Sequence, residues 1–214
     1  MATAPPHPAP QDRLEIQPRT RQNNSLPLPL LSRRQLVLLA GSSLSLGASR
    51  DDFWNTKQPS QWDTGEIYRL MNRSPWASTV DVRRPIRGET SMSQAVITWE
   101  SAPPVCDALK LAAAPEFADH YVIGVDGVAI GGKSEEYLPF AALRAAGRPK
   151  WTVWATSVRE VVRSSPVYQF SFLRSTAPIG PETGEVLFIL GLRPGYVAAR
   201  FKPNQMLYHG QLAL

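Results

Sequence analysis

Cysteine occurs once in this chain of 214 residues, at Cys106. An internal disulfide is therefore excluded, and a stable fold has to rest on packing. Histidine occurs three times, at His7, His120 and His209, with no His-x-x-x-His or Cys-x-x-Cys spacing. A zinc site needs three or four convergent nitrogen, sulfur or carboxylate ligands, so no metal is expected. There is no Gly-x-Ser-x-Gly segment, and the glycines of IGVDGVAIGG form neither a phosphate-loop nor a dinucleotide fingerprint, so no cofactor is expected either. A long apolar run is also missing. The best one, Gln35 to Ala48, is about fourteen residues and is diluted by Gly41, Ser42, Ser43, Ser45 and Gly47, whereas a membrane span wants about twenty.

Excess charge is confined to one end. The net charge is +5, but residues 1–50 hold six arginines against only Asp12 and Glu15. The remaining 17 basic and 16 acidic residues nearly cancel. Overall charge therefore gives no reason to expect a nucleic-acid partner.

What the N-terminal part does contain is an address. Residues 1–30 carry seven of the twenty prolines and few apolar anchors, a composition that cannot offset the entropy of ordering. Next comes LSRRQLVLLAGSSLSLGAS, where Arg33 and Arg34 directly precede the mild apolar run and small residues follow it. This is the layout of a twin-arginine export signal. Residues 1–48 are expected to be leader and signal peptide, with cleavage after Gly47 or Ala48, and the twin-arginine translocation machinery is the first expected partner. The expected location is periplasmic or secreted, with membrane attachment only through an uncleaved signal.

Residues 49–214 are expected to form one α+β domain. Asp63 and Glu66 have capping-box spacing, with Trp62 and Ile67 placed as a hydrophobic staple. A short docking helix is thus predicted over 63–77, its end set by Pro75. Residues 80–93, containing RRPIR, read as a solvated loop. A strand-helix-strand-helix unit is predicted over 94–147: a strand at AVITWE, a helix opened by Pro103 and Pro104, a strand at YVIGV, and a helix from Ser134 or Pro139 to Gly147. From residue 150 on, short β-rich runs separated by turns predict a C-terminal antiparallel β-meander over 150–214. Within it, Val186 to Leu190, apolar throughout, reads as a central strand covered on both faces, and 193–195 as a hairpin turn.

The segment SQWDTGEIYRLMNRSPWA, the Trp-Glu-Ser of TWESAPPV, the YVIGVDG strand and the C-terminal ARFKPNQMLYHGQLAL resemble a group of uncharacterised exported bacterial proteins. That group shares Trp, then Ile-x-x-Leu, then Ser-Pro-Trp-Ala, and a C-terminal Met-x-Tyr-x-Gly-x-Leu strand. The resemblance covers about residues 54–214 and implies a coherent fold and export; no established activity comes with it. The twin-arginine signal is not a feature of the group.

Candidate chemistry is sparse. Cys106 sits in the first turn of a predicted helix, where amide dipoles can lower a thiol pKa, and His120 is the base it would need. The competing view makes Cys106 a small half-buried hydrophobe. Glu100, Glu135 and Glu136 read as solvated carboxylates, and His209 as a solvent-facing strand residue. Trp151 and Trp154 differ by three, so on a strand they point to opposite faces, leaving one free for a ligand. Together these features point to an exported, non-enzymatic binding or scaffold domain for a protein, glycan or small molecule. The alternative is a small exported hydrolase or redox protein using Cys106, or His120 with a carboxylate.

Overall fold

A computed structural model describes residues 52–86, 89–111, 115–146 and 151–214. The leader, the Arg33-Arg34 signal, its cleavage positions and Gly147 lie outside the described residues, which all belong to one compact unit. In chain order the elements are α1 (Phe53–Thr56), α2 (Thr64–Asn72), β1 (Arg73–Ser74), β2 (Ala77–Ile86), β3 (Glu89–Trp99), α3 (Pro103–Leu109), α4 (Glu116–Asp119) and β4 (His120–Asp126). They continue with β5 (Ala141–Ala145), β6 (Thr152–Trp154), β7 (Ser157–Val162), β8 (Pro166–Leu173), β9 (Val186–Gly191), β10 (Tyr196–Phe201), β11 (Leu207–Tyr208) and β12 (Gln211–Leu212). The architecture is α+β.

Helix α2 starts as its sequence predicts. Asp63 Oδ1 accepts from Glu66 N at 2.8 Å, and Glu66 Oε2 accepts from Asp63 N at 3.0 Å. The helix stops at Asn72 rather than running to residue 77. Arg73 turns extended, and Arg73 and Ser74 pair with Ser78 and Ala77 across a turn at Pro75-Trp76. Trp62 and Trp76 are buried, and Trp76 Nε1 donates to Ala213 O at 2.6 Å, holding the C-terminal segment against α1 and α2. Phe53, Trp54, Trp62 and Trp76 stack edge to face at 5.1–5.4 Å.

Ten strands form two antiparallel sheets. The larger has the order β1-β2-β3-β4-β8-β7, the smaller β10-β9-β5-β6, and β11–β12 is a separate hairpin. Alternate residues of both sheets meet in one core, where Phe188 packs against Phe170 and Phe172, and Trp99 packs edge to face on Tyr121 and Phe201. The open edges of β2 and β10 come close: a Cβ on Gly195 would lie 2.7 Å from Arg83 O, so only glycine, at φ +101°, lets the chains approach there.

Three expectations are corrected. The predicted loop at 80–93 is instead the β2–β3 ribbon, paired from Ala77↔Thr98 to Ile86↔Glu89. Charged side chains are tolerated because one face of the ribbon is open to water. The predicted helix at 134–147 is a 3₁₀ turn, Ser134–Phe140, followed by strand β5. Pro139 lacks an N–H, and Ala141, Leu143 and Ala145 gain ladder partners from β9 and β6, which outweighs the helix preference of alanine.

The strands after residue 150 do not form one meander. Consecutive amides divide them: Ala155 N donates to Ala141 O in the smaller sheet, and Thr156 N donates to Ser171 O in the larger. Strand β9 is central in the smaller sheet, between β10 and β5, but only Val186, Phe188 and Leu190 are buried, so it is fully covered on one face and not on both. The turn after it closes through Leu192 N to Gly195 O at 2.8 Å.

Candidate functional site

The outer face of the larger sheet carries a charged network. Register places Thr98, Gly124, Gln169 and Arg159 in one row across β3, β4, β8 and β7. Glu100, just past β3, folds its carboxylate over Gly124. Arg163, next to the β7–β8 turn, grips it with both terminal nitrogens, Nη1 to Oε1 and Nη2 to Oε2 at 2.9 Å each. Gln169 Nε2 donates to the same Oε2, and Arg159 Nε donates to Gln169 Oε1 at 2.5 Å. Arg159 then pairs with Glu116 at 2.8 Å. Glu100 is 1% exposed, so it is not the solvated carboxylate expected from sequence. Gln169 is buried too. A buried charge needs a partner, and here both carboxylate oxygens are occupied, so the network ties the β7–β8 turn to the β3–α3 corner. Ser165 Oγ adds a 2.6 Å bond to Asp126 Oδ1. A cleft of about 200 Å³ lies beside the network, bordered by Asn72, Thr98, Asp126 and Arg163. The local signal that could have found this site is Gly124 itself, since a glycine inside a buried strand marks a close approach.

Cys106 is buried with Phe117 and Val122, and its thiol donates to Glu100 O at 3.3 Å. Burial first, then the charges of Asp107 and Glu100, push the thiol up to about 11. This is the reverse of the depressed pKa expected at a helix start, because the loss of hydration outweighs the dipole of a seven-residue helix. His120 is half-buried, with Nδ1 3.3 Å from Glu116 O, and lines a separate cleft of about 140 Å³ with Glu116, Ser157, Arg159 and Ser171. The expected Cys106–His120 pairing is not among the hydrogen bonds of either residue. His209 is exposed, yet it occupies a left-handed turn position at φ 50° between β11 and β12 rather than a strand face.

Trp151, just before β6, and Trp154, at its end, separate as their spacing predicts. Trp151 packs against the core, while Trp154 stands 52% exposed on the outer face of the smaller sheet. Register lines up Ala198, Ile189, Ala142 and Trp154 along that face. At the adjoining end, Tyr196 is paired with Gly191 and is 66% exposed. Phe140, 39% exposed, also reaches Gly191, where an added Cβ would sit 3.1 Å from its own Cβ. Arg193 lies over the Phe140 ring at 4.8 Å. The face therefore presents three accessible rings around a shallow floor of small and aliphatic side chains.

Among the described residues no three His, Cys, Asp or Glu side chains gather as a metal site would require, and no helix is long and apolar enough to cross a membrane. The chain matches no protein-family model, no curated protein and no solved structure.

Proposed function

We propose that this chain is an exported binding domain that works in the periplasm or beyond and engages a glycan through the outer face of the smaller sheet. The observation that carries this reading is the shared exposure of Trp154, Tyr196 and Phe140 on that face. Flat rings beside alanine-sized side chains suit the apolar faces of sugar rings, and Arg193 stacked on Phe140 adds a polar donor at the rim. The export half of the reading is supported by Arg33-Arg34 and the mild apolar run that follows, and by the resemblance to exported bacterial proteins. The domain is its cargo, and the twin-arginine machinery its first partner.

Co-sedimentation of the full chain with peptidoglycan sacculi, chitin and cellulose tests the ligand. Retention on at least one, lost in a Trp154→Ala/Tyr196→Ala variant of unchanged melting temperature, is the expected result. Retention on none, or equal retention of the variant, overturns it. A second reading, a small exported hydrolase, draws on the placement of His120 beside Glu116, Ser157 and Ser171 in one cleft. It predicts turnover of simple ester substrates that disappears in His120→Ala.

A further inference from the structure

We infer that the cleft between β1, β10 and the turn that follows β10 binds a phosphate-bearing ligand. It measures about 810 Å³, and its lining includes Arg73 from β1, Arg200 from β10 and Lys202 just beyond. Asp52 is the only carboxylate among the lining residues. Arg73 and Lys202 have no ion-pair partner among the described residues, and Arg200 has only an exposed contact with Glu185 at 3.0 Å. A surface pair of that kind is worth little, so Arg200 remains able to turn toward a ligand.

The crowding of cations at this cleft is not inherited from the chain as a whole, whose residues 51–214 nearly balance in charge. Like charges gathered around a concavity repel one another and focus a positive potential into it, and an anion relieves both. A phosphoryl group carries about −1.5 to −2 at neutral pH and offers three acceptor oxygens, which suits a cleft lined by three cations. A single carboxylate would leave at least one of them uncompensated. Ser78 and Gln205 line the cleft as well, adding neutral donors. The floor is firm: Trp54 is buried and packs edge to face on Trp76 at 5.4 Å, and Pro75 forms part of the wall. This site does not depend on the proposed glycan face.

Calorimetric titration of the full chain with inorganic pyrophosphate is the test, with a parallel arm using phosphatidylglycerol–phosphatidylcholine vesicles against phosphatidylcholine alone. Binding should weaken as salt is raised and fall at least about tenfold in Arg73→Ala/Lys202→Ala. An Arg83→Ala/Arg84→Ala control should bind as the parent does. Pyrophosphate binding alone assigns a soluble phosphate compound. Vesicle binding that pyrophosphate displaces, and that Arg73→Ala/Lys202→Ala loses, assigns a lipid headgroup. No pyrophosphate binding, or equal binding by Arg73→Ala/Lys202→Ala, overturns the inference. Both replaced side chains are exposed, so an unchanged melting temperature is expected and separates a lost site from a lost fold.

Discussion

The carboxyl group of Glu100 occupies the space that a side chain on Gly124 would need. A Cβ at residue 124 would lie 2.7 Å from Glu100 Cδ and closer still to Oε1. Arg163 and Gln169 pin that carboxylate, so it cannot give way. Gly124→Ala should therefore destabilise the fold by about 1–3 kcal/mol, the usual penalty of overpacking. Urea unfolding checks it: a midpoint equal to that of the parent would mean the carboxylate is free to move.

The two ends of the Glu100–Arg163 pair should respond unequally. Arg163 is 25% exposed and, left alone, can turn to water, whereas the Glu100 side chain is only 1% exposed. Arg163→Ala strands a buried carboxylate and is expected to cost about 3–5 kcal/mol. Glu100→Gln keeps the shape and most of the hydrogen bonds, and is expected to cost about 1–3 kcal/mol. Denaturant unfolding of both variants that ranked them in the opposite order would refute the assignment of Glu100 as the trapped partner.

Cys106 makes the fold sensitive to alkali. Its thiol titrates at about 11 in the folded chain against an ordinary 9.0, so near pH 10 the unfolded chain binds fewer protons than the folded one. Stability from this group is complete below pH 9 and is lost as pH rises toward 11, by at most about 3 kcal/mol. Cys106→Ala should show a flatter stability profile between those values. The parent thiol should also react with a disulfide reagent at pH 8 far more slowly when folded than in denaturant. Equal rates in the two states would mean that the thiol is open to solvent.

Of the six tryptophans, Trp154 alone is more than half exposed; Trp54, Trp62, Trp76 and Trp99 are buried and Trp151 is half-buried. Iodide should quench a small fraction of the emission, and Trp154→Phe should remove most of that fraction while leaving stability within about 0.5 kcal/mol. Trp151→Phe, packed against the core, should cost more. An unchanged quenchable fraction in Trp154→Phe would place the accessible indole elsewhere.

Replacing Arg33 and Arg34 together by lysine should abolish export in a host with the twin-arginine route, because that signal is read by its guanidinium pair. Fractionation followed by intact mass checks both export and the cleavage near Ala48. Export of the variant at the parent level would refute the address.

Several elements were legible because their causes are local. The Asp63–Glu66 capping box, the 193–195 turn and the opposite faces of Trp151 and Trp154 each depend on residues at most a few positions apart. Ala141–Ala145 was misread for the opposite reason. Its alanines favour a helix locally, and only the waiting edges of β9 and β6 make a strand of it. The Arg83–Arg84 stretch of β2 hid in the same way, since its pairing with Met92 and Ser91 is concealed by a polar composition that resembles a loop.

Composition and spacing by themselves determined that no disulfide can form, that the domain after residue 50 is nearly neutral, and that most of the later chain consists of short strands. Tertiary structure decided which sheet each strand joins, through two neighbouring amides at Ala155 and Thr156 that donate to different partners. It also decided the character of the side chains that matter. Glu100 meets Arg163 and Gln169 across 63 and 69 residues of chain, and Arg73 lines one cleft with Arg200 and Lys202 from a still more distant part of the chain. Charge and hydration at a given atom depend on what the folded chain brings beside it, and neighbours in sequence carry almost none of that information.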